Sequence, residues 1–367
     1  MCSSDLPAVA QAAAPAAAPA NGGITAPNGV NLDTVKAGRF DFGKMWTFDF
    51  PPIDYFRSEY GFTPDKAWFD HARLGALRLP NCSASFVSPN GLMMSNHHCA
   101  REALAQVNRD GKEDLSNDGL YVKTRAEERP VEDTYVDQLI EIVDVTDEVT
   151  SKIGNATGEE RSDKQEKVFH DISERLTKEK GGEIAGINVE VVSLFAGGHY
   201  SAYVFKRYTN LKLVAAPELQ IGFYGGDPDN FTYPRYNLDF SFWRVYDERG
   251  QPVKSTNYFK LDTDGLKPDD AVFVVGNPGS TSRLQTLAEL EFRRDVGDKG
   301  VLRFLENRMR VYQAYMDTHP KETQELDLVD KFFSASNSQK AYAGQLSGLA
   351  DPIILTKRLR AQQEFQD

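Results

Sequence analysis

The chain has 367 residues, of which 40% are hydrophobic and 26% charged, and its formal net charge is −12. This length is sufficient for two domains with a sizeable core. The acidic balance argues against a general nucleic-acid binder, because there is no surplus of Lys and Arg to neutralise phosphates. No apolar run approaches the length of a membrane span.

Residues 1–35 are predicted to form a disordered linker. Ala and Pro dominate between Pro7 and Ala20, and such a segment buries almost no apolar surface. Its Ala-x-Ala triplets are typical of the region just after a secretory signal, but the charged start and apolar stretch of a signal are not visible. The sequence alone therefore identifies no export signal.

Aromatic residues are dense between positions 40 and 78, and we expect them to pack over a β core. Thr63 and Pro64 are typical of a helix start, with Thr63 as the N-cap and Pro64 at the first helical position. Ala67, Trp68, His71 and Leu74 would lie on one face of that helix.

A β-hairpin is predicted next. Residues 85–88 and 92–94 have strand character, and Pro89-Asn90-Gly91 between them favours a turn in which Gly91 takes a positive φ. The hairpin would carry His97 and His98 to its far end. A histidine at a strand end is more often structural or solvent-exposed than catalytic, so the hairpin by itself assigns no function.

Beyond the hairpin, the chain has the pattern of an antiparallel β region rich in hairpins. A short helix is expected at 100–108, and a charged helix opens with a capping box at Thr157 and ends at Gly181. The predicted strands cover residues 135–142, 187–195, 200–205 and 211–215.

A loop rich in turn-forming residues extends from Gly225 to Pro234, and Asp239 then opens an alternating strand at 240–246. An aspartate entering a strand can be buried and accept a hydrogen bond from an imidazole N–H. That placement fixes the tautomer of a histidine base. The alternative is an aspartate that only caps a turn.

A further strand is predicted at 271–275, followed by Gly276-Asn277-Pro278-Gly279-Ser280. Ser280 is rejected as a nucleophile, because an oxyanion hole needs backbone N–H donors and Pro278 removes one. From residue 282 onward the pattern is helical, with helices expected at 284–294, 301–317, 322–333 and 353–365.

The cysteines and histidines predict no metal site and no cofactor. The six histidines are scattered, with no His-Glu-x-x-His and no paired Cys-x-x-Cys motif. On cysteine counting alone, Cys82 and Cys99 are either a disulfide pair in an oxidising compartment or two reduced, buried thiols.

Taken together, the motifs resemble the S46 family of bacterial dipeptidyl peptidases. The matching segments are Met45-Trp46-Thr47-Phe48, Tyr60 to Pro64, Ser85 to Gly91, Asn96 to Cys99, Gly225-Gly226-Asp227, Asp229-Asn230 and Asp239 to Phe242. The resemblance implies a mainly β fold with an α-helical region, namely a chymotrypsin-like double β-barrel with an inserted helical domain. Residues 36–281 would form the N-terminal part of the peptidase domain, and residues 282–367 the start of the helical domain.

The resemblance also implies roles for individual residues. His98 matches the general base of the family and Asp239 its orienting carboxylate. Asn230 matches the asparagine that binds the free α-amino group of the substrate, and Phe231 would provide an aromatic floor beside it. Cys82 and Cys99 match the disulfide that flanks the catalytic histidine.

The implied activity is that of a serine-type dipeptidyl peptidase, which releases dipeptides from the free N-terminus of oligopeptides. Because the family's nucleophilic serine comes after the helical domain, we expect this chain to be the N-terminal part of a longer protein and inactive alone. The resemblance further implies a homodimer in the periplasm or outside the cell. The alternatives are a chymotrypsin-like endopeptidase and a non-catalytic peptide-binding homologue.

Overall fold

The computed structural model describes residues 30–38, 45–109, 112–222, 236–278 and 285–367. The described α-helices are α1 (Ile53–Tyr60), α2 (Lys66–Gly75), α3 (Arg101–Gln106), α4 (Leu115–Asp118), α5 (Thr146–Ile153), α6 (Gly158–Glu179), α7 (Leu219–Gly222), α8 (Leu287–Phe292), α9 (Asp298–Met316), α10 (Pro320–Glu325), α11 (Leu328–Leu349) and α12 (Pro352–Gln366). The described strands are β1 (Ala76–Arg78), β2 (Ser83–Phe86), β3 (Leu92–Ser95), β4 (Leu120–Tyr121), β5 (Arg129–Val131), β6 (Val136–Asp144), β7 (Ile187–Leu194), β8 (His199–Tyr208), β9 (Asn210–Ala216) and β10 (Ser241–Tyr246).

The ten described strands form one antiparallel sheet in the order β4-β9-β10-β3-β2-β1-β6-β8-β7, with β5 also paired to β9. The predicted hairpin is confirmed, because β2 pairs with β3 through Ser85 opposite Met94 and Phe86 opposite Met93. Gly91 has a φ of 69° in its turn. A Cβ there would lie 2.7 Å from the Val245 carbonyl oxygen, so the turn requires glycine for space as well as conformation.

Residues Met45–Ser282 and His319–Asn337 form one compact unit, which contains the whole sheet. Its first core lies under β1, β2, β3, β9 and β10, and its largest fully buried side chains are Trp243, Phe86, Leu77, Met93 and Leu104. A second core lies between α5 and α6 on one side and β7 and β8 on the other. Val168, Ile172 and Leu176 recur on one face of α6, which explains why only that stripe of a charged helix is buried.

The other compact unit comprises Met1–Lys44, Arg283–Thr318 and Ser338–Asp367, and in its described residues it is helical. The helix α8 begins with a capping box formed by Thr286 and Glu289, and a π-helical turn, Arg293–Gly297, joins it to α9. Arg293 contacts Asp298 at 2.9 Å. The predicted domain boundaries stay predictions.

Two helix starts differ from expectation. The helix α2 begins at Lys66, not after Thr63, because the Asp65 carboxylate accepts the Trp68 N–H at 2.8 Å and is the N-cap. Thr157 does precede α6, but its side chain forms no capping hydrogen bond, so the predicted capping box is wrong.

The strand prediction for residues 271–275 is also wrong. These residues pair with no strand in the described part of the chain and are largely exposed, with Val274 97% exposed. Phe273 instead packs its ring against those of Phe56 and Trp68, with centroid distances of 5.2 and 5.4 Å. The continuous helix predicted at 322–333 is interrupted, because Asp327 takes a φ of 49° between α10 and α11.

Among the described residues, no helix is both long and apolar enough to span a bilayer.

Candidate active site

The pairing of β3 with β10 brings His98 and Asp239 together, although they are 141 positions apart in the chain. Ser95 at the end of β3 lies opposite Ser241 at the start of β10. Extending that antiparallel register by two residues places Asp239 beside the residues that come after β3. The Ser241 hydroxyl donates to the Asn96 carbonyl oxygen at 2.8 Å. This hydrogen bond holds the residue after β3 against the start of β10.

His98 donates to the Asp239 carboxylate from both its ring and its backbone. Its Nδ1 lies 2.9 Å from Oδ2 and 3.1 Å from Oδ1, and its backbone N–H donates to Oδ1 at 3.0 Å. Since a carboxylate can only accept, Nδ1 carries the proton, and Nε2 of the neutral ring is the nitrogen that can accept one. The His98 side chain is 41% exposed and that of Asp239 only 9%, so the histidine is much the more accessible of the two.

Asp239 is held as an anion. Burial by itself raises its pKa, but hydrogen bonds from the His98 ring and backbone, the His98 charge and a hydrogen bond from Asn96 outweigh burial and lower the pKa to about 2. Asn96 Nδ2 donates to Oδ2 at 3.0 Å and to the Asp239 carbonyl oxygen at 3.2 Å. A permanent carboxylate at this point stabilises an imidazolium at His98.

The two adjacent histidines lie in different environments, at the point where the chain leaves β3 and turns into the short 3-10 helix His98–Ala100. Met93, Ser95 and His97 are buried, whereas His98 is exposed. His97 is fully buried, and its Nε2 lies 2.9 Å from the Pro217 carbonyl oxygen. Sequence reasoning assigned no role to His97 or Asn96, although counting alternate residues from Met93 would have separated His97 from His98.

Cys82 and Cys99 form a disulfide in the structure, with a Cα–Cα distance of 6.3 Å. It links the residue before β2 to the residue after His98. Cys82, His98 and Cys99 also present potential metal-ligand atoms within 4.8 Å of one another. Because the two sulfurs are bonded to each other, they are not thiolates and do not make a metal site here.

His98 and Asp239 line an open cleft of about 730 Å³. Four further carboxylate residues also line it: Glu102, Glu132, Asp133 and Asp330. Arg101 Nη1 donates to Asp330 Oδ1 at 2.9 Å and so offsets part of this negative charge. Within the described ranges, no serine hydroxyl forms a hydrogen bond with the His98 ring.

Three residues considered in the sequence lie outside the described residues. These are Asn230 and Phe231, proposed for substrate binding, and Ser280, which was rejected as a nucleophile. Their roles stay predictions.

Comparison with known proteins identifies the family. Residues 40–367 match the model of the family described as Peptidase S46. The chain belongs to the peptidase S46 family. Its S46 relatives include dipeptidyl-peptidase 7 of Phocaeicola vulgatus, 30% identical over 305 residues, a match that covers 77% of this chain and 40% of the relative.

Several relatives carry the name Asp/Glu-specific dipeptidyl-peptidase. That of Shewanella putrefaciens is 32% identical over 297 residues, covering 76% of this chain and 38% of the relative. That of Porphyromonas gingivalis is 28% identical over 304 residues, covering 78% of this chain and 40% of the relative. This chain thus spans about two fifths of the length of these curated relatives.

The fold is similar to that of Porphyromonas endodontalis DPP11, solved in complex with the dipeptide Arg-Glu. The TM-score is 0.73 at 24% sequence identity, and the match covers 88% of this chain and 49% of that chain. The predicted fold class is confirmed by this likeness.

Proposed function

We propose that the complete protein is a serine-type dipeptidyl peptidase, which releases dipeptides from the free N-terminus of oligopeptides. The supporting observation is the His98–Asp239 pair in an open cleft, within a chain of the S46 family. The serine that His98 serves would lie in the part of the relatives' length that this chain does not span.

His98 is the general base in the proposed reaction. Its Nε2 takes the proton of the serine hydroxyl as Oγ attacks the carbonyl carbon of the second peptide bond. The resulting imidazolium gives that proton to the leaving amine, and Asp239 stabilises the positive charge in between. Water, deprotonated in turn by His98, then hydrolyses the acyl-enzyme and releases the dipeptide.

Recognition of the free α-amino group would make the enzyme an exopeptidase. Asn230 is proposed to accept hydrogen bonds from the ammonium group, and the Phe231 ring to contact it through a cation–π interaction. The carboxylates that line the cleft add a negative field that favours a substrate with a positive terminus.

We further propose that the protein works as a homodimer in the periplasm or outside the cell, where the Cys82–Cys99 disulfide would persist. The support is the family membership and the disulfide geometry between these two cysteines.

The test uses the complete protein and pairs of fluorogenic dipeptidyl amides, one with a free amine and one N-acetylated, with acidic, basic and apolar residues before the cleaved bond. Cleavage restricted to the free-amine substrates supports the proposal. Equal cleavage of both forms would indicate an endopeptidase. Binding of the peptides without any cleavage would indicate a non-catalytic homologue.

Two variants refine this test. Asn230→Ala should raise KM for free-amine substrates more than for N-blocked ones, with Asn155→Ala, an exposed position, as control. His98→Ala should abolish turnover, whereas His170→Ala on the exposed face of α6 should not. An Asn230→Ala effect of equal size on both substrate forms would remove the amine-binding role.

A further inference from the structure

His97 contacts the Pro217 to Gly222 segment, which lies next to the His98–Asp239 pair at the cleft. Its Nε2 lies 2.9 Å from the Pro217 carbonyl oxygen, so Nε2 carries the proton and donates it. Its Nδ1 is buried and has no hydrogen-bond partner among the described residues. The buried His97 ring is thus a single tautomer, protonated on Nε2, and its ring makes one hydrogen bond.

The same ring lies against Gly222. A Cβ on Gly222 would lie 2.6 Å from the His97 Cγ, 2.7 Å from Nδ1 and 2.8 Å from Cδ2. Real Cβ atoms do not approach ring atoms so closely, so glycine is required here for space. His97 therefore contacts both ends of the Pro217 to Gly222 segment, by a hydrogen bond at one end and by ring packing at the other.

The segment is also bonded to the residue before Asp239. The Leu238 N–H donates to the Ile221 carbonyl oxygen at 2.8 Å. Gly222 lines the cleft together with His98 and Asp239. His97 precedes the base directly in the chain, and Leu238 precedes its carboxylate partner, so a shift of the segment is transmitted to both.

Burial lowers the pKa of His97, and the Arg101 charge lowers it further, whereas the Pro217 hydrogen bond and the Asp239 charge raise it. The lowered pKa is consistent with a neutral ring, which the single donated hydrogen bond also requires.

We propose that His97 is a positioning residue for the reaction: its ring, locked between the Pro217 carbonyl and Gly222, holds the Pro217 to Gly222 segment against the His98–Asp239 pair and so sets the orientation of the base. The proposal rests on the proposed peptidase function only for its effect on turnover. The claim that His97 holds the Pro217 to Gly222 segment in place does not depend on the activity of the complete protein.

The test compares Gly222→Ala, His97→Gln and the double variant in the complete protein. Gly222→Ala should lower kcat on a free-amine dipeptidyl amide by about 10-fold to 100-fold, the range expected when a catalytic group is displaced by about 1 Å. The rate of covalent labelling by a fluorophosphonate, which needs the base but not the amine site, should fall in parallel. Gly344→Ala is the matched control, because a Cβ there meets no described atom within 4 Å.

The double variant identifies the contact responsible. Glutamine keeps a donor for Pro217 but has no ring to collide with a methyl group. In the His97→Gln background, Gly222→Ala should therefore cost much less than in the natural protein. If the two effects simply multiply, the contact between ring and glycine is not the cause and the proposal fails.

His97→Phe is the second variant, should Gly222→Ala fail to fold. It retains a flat ring against Gly222 but leaves the Pro217 carbonyl without its donor, and kcat should fall while His97→Gln retains more activity. Wild-type kcat in His97→Phe overturns the proposal.

A spectroscopic readout separates this proposal from the proposed function. The low-field proton resonance of His98 Nδ1–H, bonded to Asp239, should shift or broaden in Gly222→Ala and stay unchanged in Gly344→Ala. A protein with no peptidase activity would refute the proposed function, and this resonance would still decide the positioning role. An unchanged resonance in Gly222→Ala refutes that role.

Discussion

His98 donates to both oxygens of Asp239, from its ring at 2.9 Å to Oδ2 and from its own backbone N–H at 3.0 Å to Oδ1. The backbone bond fixes the carboxylate relative to the main chain, and the ring bond then fixes the imidazole relative to the carboxylate. The protein itself therefore holds the His98 imidazole in one orientation.

Asp239→Asn should lower kcat of the complete protein by about 10⁴-fold while leaving KM nearly unchanged. Each carboxylate oxygen accepts from at least one N–H donor, since Asn96 Nδ2 also donates to Oδ2. The amide NH₂ of an asparagine would face a donor in either orientation and disturb the His98 tautomer. Steady-state kinetics measures the effect, and Asp171→Asn on the exposed surface of α6 is the control. A loss of less than about 10-fold would contradict the role given to this carboxylate.

Acid should weaken the fold through Asp239. Its folded pKa of about 2 is depressed from 3.8, so the stabilisation is complete above about pH 4 and is lost as the pH falls towards 2. The shift corresponds to about 2 kcal/mol. The difference in unfolding free energy between the natural protein and Asp239→Asn, measured by urea denaturation at several pH values, should shrink by that amount across this window. A difference that stays constant as the solution is acidified through this window would show that the carboxylate is not held as described.

Asn96→Ala should move this acid-sensitive window to higher pH. Removal of the Asn96 hydrogen bond takes away one of the interactions that lower the Asp239 pKa. The pH at which half of the Asp239 contribution is lost should therefore rise, as followed by the same denaturation series. Asn155→Ala, exposed and remote from the carboxylate, should leave the midpoint where it is.

Reduction of the Cys82–Cys99 disulfide should cost about 3 kcal/mol of stability, because the bond closes a loop between residues 17 apart in the chain. The measurement is the denaturation midpoint with and without a phosphine reductant. The double variant Cys82→Ser, Cys99→Ser should be less stable from the outset and indifferent to the reductant. Free-thiol titration checks that the reductant has reduced the cysteines of the natural protein. If its denaturation midpoint is nevertheless unchanged, the predicted stabilisation is absent.

Asp137→Asn should cost about 2–3 kcal/mol of unfolding free energy. The Asp137 side chain is fully buried, with Arg78 at 3.0 Å and Arg207 at 2.8 Å. Removal of its charge leaves Arg78 with Glu190 as its one carboxylate partner and Arg207 with none among the described residues. Glu160→Gln, which breaks an exposed pair with Lys164 on α6, should cost about 0.5 kcal/mol or less. Equal losses of unfolding free energy in Asp137→Asn and Glu160→Gln would contradict the larger contribution given to the buried carboxylate.

The local elements were predictable where a short pattern suffices. The β2–β3 hairpin follows from alternating residues and the turn at Gly91, and the apolar stripe of α6 from helical spacing. Residues 271–275 have strand composition but no neighbouring strand in the described chain, and composition alone cannot supply hydrogen-bond partners. The Asp65 cap was missed because Thr63 and Pro64 offered an equally good local start.

The pairing of His98 with Asp239 was not derivable from local pattern. It depends on the register between Ser95 and Ser241, which is set by packing of strands far apart in the chain, and it was expected only through the family resemblance. The roles of Asn96 and His97 depend on atoms contributed by Asp239 and Pro217, so they became visible only with the tertiary structure.

The tight turn at Gly91 sets the length of the hairpin that leads to His98. A strand shows alternate residues to opposite sides, so the insertion or deletion of one residue between Gly91 and Ser95 would invert the two faces of β3 and displace both histidines that follow it. A deletion would bring His98 to the buried position of His97, and an insertion would bring His97 to the position of His98 at the cleft. The Val245 carbonyl oxygen lies 2.7 Å from where a Cβ on Gly91 would be, so the turn itself requires glycine. The place of His98 at the cleft thus depends on the length of the hairpin as well as on the residues within it.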